Sequence, residues 1–105
     1  MRWLEETEID IIKTTLKFFL FEFNDWDTRE RVQTTLNSML SDLEVKEAIY
    51  AYYVKCDWRN NPPRIVDANL LITDVTIYND AGNWQHHRFV LGAHGIDVIT
   101  QKEET

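Results

Sequence analysis

The sequence predicts an α+β fold: two N-terminal helices packed on a small, mostly antiparallel sheet with edges open to strand addition. Three observations predict it. Apolar residues recur at helical spacing through the first half, β-branched and aromatic residues dominate the second, and Asn, Pro and Gly clusters divide that half into strand-like runs. Helices gathered ahead of strands imply one layer of each rather than a βαβ alternation. A chain of 105 residues has room for one core, and with no repeat or linker in it, residues 1–105 read as a single domain.

Ile9, Ile12, Leu16, Phe19, Leu20 and Phe23 form one apolar stripe and predict a first helix over about 5–21. Phe18 and Phe21 lie off it, so this helix has two buried faces or an apolar surface awaiting a partner. For a short helix on a sheet, two buried faces is the commoner case. Asn24-Asp25-Trp26 breaks the pattern, and Asp27 followed by Glu30 fits reciprocal capping at the start of a second helix over about 27–45. Val32, Leu36, Met39, Leu40 and Leu43 mark its buried stripe.

A first strand follows over about 49–56, with Tyr50, Tyr52, Val54 and Cys56 on one face. Asp57 to Pro63 reads as loop, because proline cannot donate to a ladder. A second strand covers about 70–78, Asn79 to Asn83 carries turn chemistry, and a third strand covers about 84–91. Ile96 to Ile99 offers a short extension. Three strands leave two edges, and long apolar edges invite pairing with another chain.

The net charge of −7 weighs against binding phosphate backbones or anionic membranes, which recruit clustered Lys and Arg. Neither nucleic acid nor membrane is an expected partner. No apolar run approaches the roughly 20 residues that span a bilayer. Glu5, Glu6, Glu8 and Asp10 stand where a signal peptide would be basic and then apolar; with Glu103 and Glu104 they read as solvated termini. Cys56 has no intramolecular disulfide partner, so nothing requires an oxidising compartment.

Chemistry is sparse. Adjacent His86 and His87 point to opposite sides of a strand and cannot share a metal, and His94 and Cys56 complete no zinc spacing. The histidines read as surface or partner-facing. Cys56 beside Asp57 is held protonated, which disfavours a nucleophile. The chain contains no Gly-rich phosphate loop and no nucleophile elbow. No catalytic residue, metal, cofactor or small-molecule substrate is expected. Trp26, Trp58 and Trp84 fall in or beside loops, where such residues are more often core lids than interface anchors.

Two stretches carry a resemblance. Phe21-Glu22-Phe23-Asn24-Asp25 with Thr28-Arg29, and Lys55-Cys56-Asp57 with Asn60-Asn61-Pro62-Pro63, Ile65, Asp67, Asn69-Leu70 and Asp74-Val75-Thr76-Ile77, resemble the C-terminal (handshake) domain of contractile phage tail sheath proteins. Within the motifs, Phe21, Phe23, Asn24, Asp25, Arg29, Cys56, Asp57, Asn60, Asn61, Pro62 and Pro63 are expected to hold local structure. Asp57, Asn60 and Asn61 can bond their own backbone while the prolines stiffen the turn.

The resemblance implies a virion structural protein, assembled in the host cytoplasm, that polymerises around the tail tube by strand exchange between subunits. It further implies that Trp84, Gln85, His86, His87, Arg88, Phe89, Val90 and Leu91 form an arm given to a neighbour, with Asn79 to Asn83 as hinge; the same residues also suit a local hairpin. Partners so implied are copies of the chain or sheath subunits, the tail tube and baseplate proteins. The large outer domains of a sheath subunit are missing here, so the chain reads as an excised domain or as a free-standing sheath initiator that nucleates polymerisation on a baseplate. A small α+β hydrolase or ligand-binding enzyme is the rival reading of another class.

Overall fold

The computed structural model describes residues 2–78 and 82–103, with side chains over 8–78 and 82–101. Helix α1 (Arg2–Leu16) runs into a 3-10 turn (Lys17–Phe19), followed by α2 (Trp26–Val45), β1 (Ala51–Lys55), a one-turn helix α3 (Pro63–Asp67), β2 (Leu71–Tyr78), β3 (Trp84–Gly92) and β4 (Gly95–Glu103). The strands form an antiparallel meander in the order β1-β2-β3-β4. The fold is α+β, helices against an open antiparallel sheet, as the sequence predicts.

The predicted first helix is too long. Ile12 and Leu16 are fully buried, but the chain then tightens into the 3-10 turn, whose three residues per turn carry later side chains off the α-helical stripe. Phe19 still reaches the core, while Phe18, Phe21 and Phe23 turn to solvent. Two buried faces were expected of this segment; it has one, and Phe23 leaves the stripe assigned to it.

Helix α2 starts at Trp26 because Asp25, not Asp27, is its cap: the Asp25 carboxylate accepts from the Thr28 amide at 2.8 Å. That bond holds the Asp25 carboxyl below its ordinary range. Asp27 instead pairs with Arg31 one turn on, at 3.3 Å. At the other end Ala48 N–H bonds Leu43 C=O at 2.9 Å and Glu47 N–H bonds Glu44 C=O at 3.0 Å, with Glu47 at φ 63°. This is the Schellman closure, with glutamate where glycine is usual.

Sheet and helices enclose one core. Ile12, Leu16, Phe19, Val32, Leu36 and Leu40 of the helical layer pack with Val54, Cys56, Leu71, Val75, Ile77, Phe89 and Leu91 of the sheet layer. Three expectations fail here. β4 extends over Gly95–Glu103 rather than Ile96 to Ile99, making a four-stranded sheet in which β3 is internal instead of an edge. His87 is fully buried on the core face of β3 rather than at the surface. Glu8 is buried as well, because its position on α1 faces inward one turn before Ile12.

Candidate functional site

The two motif stretches meet in space. β1 leaves the sheet after Lys55 pairs with Asp74, so by register the main-chain groups of Ile72 would next face Asp57. The Asn61 carboxamide takes that place: its Oδ1 accepts from Ile72 N–H at 2.8 Å and its Nδ2 donates to Ile72 C=O at 2.9 Å. Asn61 Oδ1 also accepts from Asn24 Nδ2 at 2.9 Å, and Asn24 donates to Leu70 C=O at 2.8 Å while accepting from Arg29 at 2.7 Å. The helix bend is thereby fastened to the sheet through one asparagine pair.

Asn60 ties the loop from the other side, accepting from Asp57 N–H at 3.0 Å and donating to Lys55 C=O at 2.7 Å and to the Asp74 carboxylate at 2.9 Å. Asp57 is a fork for Arg59, at 2.7 Å, and that bond lowers its carboxyl from the ordinary range. Both asparagines are buried. They bond their own backbone, as expected, and also lock neighbouring strands. Pro62 precedes α3 and Pro63 opens it at a position where a missing N–H costs nothing, so the predicted loop ends in a helical turn.

Of the residues assigned to a donated arm, Gln85, His87, Phe89 and Leu91 face the core, and Trp84, His86, Arg88 and Val90 face outward. All pair within the chain, with β2 on one side and β4 on the other. The hinge proposal falls partly on residues 79–81, outside the described residues. Among the described residues the unpaired ladders belong to β1 and β4.

The outward face holds an ionic centre around Asp74. Asp74 is buried under Arg88 (2.8 and 3.2 Å), with His86 Nε2 at 3.3 Å and His86 Nδ1 3.0 Å from the Thr76 hydroxyl. Burial opposes ionisation of Asp74, but the hydrogen bonds from Arg88 and Asn60 outweigh it and hold the carboxyl below its ordinary range. His86 and His87 do point to opposite faces; His87 meets the Thr100 hydroxyl at 3.0 Å. Cys56 is fully buried, and burial pushes its thiol up to about 11, with Asp57 a minor contributor.

Sequence reasoning favoured burial for what is a cluster of exposed aromatic side chains. Phe18 is 83%, Phe21 90%, Phe23 86% and Trp26 68% exposed, all within nine residues of the α1–α2 bend. Trp58, 73% exposed, and the outward-facing Trp84 are likewise not core lids. The off-stripe position of Phe18 and Phe21 was the available signal. Beside the bend, Trp58, Pro62, Pro63 and Val66 line a groove of about 560 Å³ together with Arg29, Arg59, Asn61 and Asp67.

A search of protein-family models returns no match, and no solved structure matches. Curated sequences do match. The chain is 29% identical over 66 residues to the tail sheath protein of Vibrio phage KVP40, covering 63% of this chain and 10% of that protein. It is 31% identical over 93 residues to the tail sheath protein of Enterobacteria phage T4, covering 84% of this chain and 14% of that protein. The chain thus spans a small part of these relatives' length. With its helix-bend and Asn-loop motifs joined in one network and most of its residues aligned to sheath sequences, this chain belongs to the phage tail sheath family.

Proposed function

We propose that the chain is a non-enzymatic assembly module of a phage tail, and that it joins neighbouring sheath subunits by adding strands at the open edges of its sheet. The observation that carries this reading is the nine-residue β4, which pairs with β3 on one side and leaves its other ladder open. Every second residue of an antiparallel edge strand turns its N–H and C=O outward; counting from the closing pair Gly92–Gly95, Val98 and Thr100 are such residues. An extended segment of a neighbour would find main-chain bonds there, with side-chain alternation fixing its register. The sheath relatives support a structural role in the virion tail.

Trp84 to Leu91 acts as the internal strand that supports the donor-accepting edge, and the five-residue β1 is the second acceptor. Amide hydrogen exchange tests this directly. In the isolated chain the Val98 and Thr100 amides exchange freely, and on assembly with sheath subunits they gain protection of at least ~100-fold, the mark of a paired strand. Assembly without protection at either edge would sink the reading.

A further inference from the structure

Beside the α1–α2 bend lies a hollow of about 170 Å³ with apolar walls from Phe19, Leu20, Val66, Leu70, Leu71 and Leu91. Its polar lining comes from Glu22, Asn24 and Asn69, and two of these are turned elsewhere: Glu22 pairs with Arg31, while Asn24 donates to Asn61 and to Leu70 C=O. Phe23 also lines the hollow and yet is 86% exposed, so its ring stands at the mouth and not inside. The size suits that ring, since an apolar cavity of ~150 Å³ accepts benzene.

Sequence and structure disagree about this one residue. The apolar stripe of α1 passes through Leu16, Phe19, Leu20 and Phe23, and on a continuous α-helix Phe23 would sit one turn beyond Phe19 on the same face. That face lines the hollow. The 3-10 turn breaks the stripe: Leu20 N–H bonds Lys17 C=O at 3.3 Å and Glu22 N–H bonds Phe19 C=O at 3.2 Å, each three residues back rather than four. Winding Lys17–Phe19 as α-helix shortens it by only ~1.5 Å, from the ~2.0 to the ~1.5 Å rise per residue, and returns Phe23 to the stripe.

We propose that Phe23 is a plug for this hollow, and that the bend exchanges between the open form of the structure and a closed form in which the 3-10 turn winds on as α-helix and the ring is seated. Removing the ring from water favours the closed form. The Asn24 bonds, which fix the chain one residue later, favour the open one. The plug thereby sets how much apolar surface the bend offers: open, Phe23 stands in solvent with Phe18 and Phe21; closed, it is withdrawn. Neither open sheet edge takes part, so the exchange is independent of strand addition.

Fluorine NMR tests this on the 105-residue chain carrying a fluorinated phenylalanine at position 23 alone. Two resonances, or one broadened by exchange, are expected, with a component whose shift ignores replacement of water by heavy water. That component should persist unchanged from ~10 to ~300 μM, because a contact within one chain does not follow mass action. Filling the hollow with Val66→Phe should remove it. Benzene reads the same equilibrium: a plug seated about two-thirds of the time leaves the hollow vacant for about one-third, so the native chain should bind benzene ~3-fold more weakly than Phe23→Ala. A single resonance that follows the solvent throughout overturns the proposal, as does equal benzene affinity of the two chains or no binding by Phe23→Ala. So does a protected component that is lost on dilution, since the ring would then be seated in another copy.

Discussion

At the scale of single residues, Asn61 matters most. Its carboxamide replaces a strand residue opposite Ile72 and also holds Asn24, so Asn61→Ala leaves buried main-chain groups without partners. We expect a loss of ~2–4 kcal/mol, read by urea unfolding, since each orphaned buried group costs ~1–3 kcal/mol. Asp74 gives a pH test. Its folded pKa lies below the ordinary value, so its contribution is complete above the unfolded pKa and is lost as pH falls through the folded one, below about pH 4. The native chain should melt above Asp74→Asn from about pH 5 to 7, and the gap should close as pH falls below about 4. Turn chemistry at Asp57, Asn60 and Asn61 was legible in the sequence. The reach from Asn24 to Asn61 was not, because spacing along a chain carries no information about a contact made through the fold.

At the scale of elements, stripe and alternation placed both long helices and three strands within a few residues. The errors share one cause, competition between local patterns and neighbours. Asp27 with Glu30 made a plausible cap, yet Asp25 won because Asn24 is already anchored to Leu70 and Asn61 just before it. β4 contains Asp97, Gln101 and Lys102, weak strand formers that become a strand because β3 offers nine partners in register. The Schellman closure yields another prediction. Glu47 at φ 63° carries a left-handed strain that glycine avoids, so Glu47→Gly should stabilise the chain by ~1 kcal/mol and raise the melting temperature.

At the scale of the whole molecule, β3 is the keystone. Deleting Trp84 to Thr105 removes β3, β4 and the core residues Phe89 and Leu91, so the remainder should show no cooperative thermal transition. A truncation that still melts cooperatively would mean that β2 is supported elsewhere. The same topology bears on what the sequence left open: the sequence marks Trp84 to Leu91 as a strand, suited to an arm or to a local hairpin, but cannot say which neighbours flank it. What the sequence by itself determined was the layer architecture, the family and the absence of a recognisable catalytic motif, because periodicity and motif residues are local properties. Only the tertiary structure decided which strands are edges, that the two motifs form one hydrogen-bonded network, and that the phenylalanines of the bend face outward. Those depend on which surfaces the fold leaves uncovered once the core is full, and no local pattern encodes that.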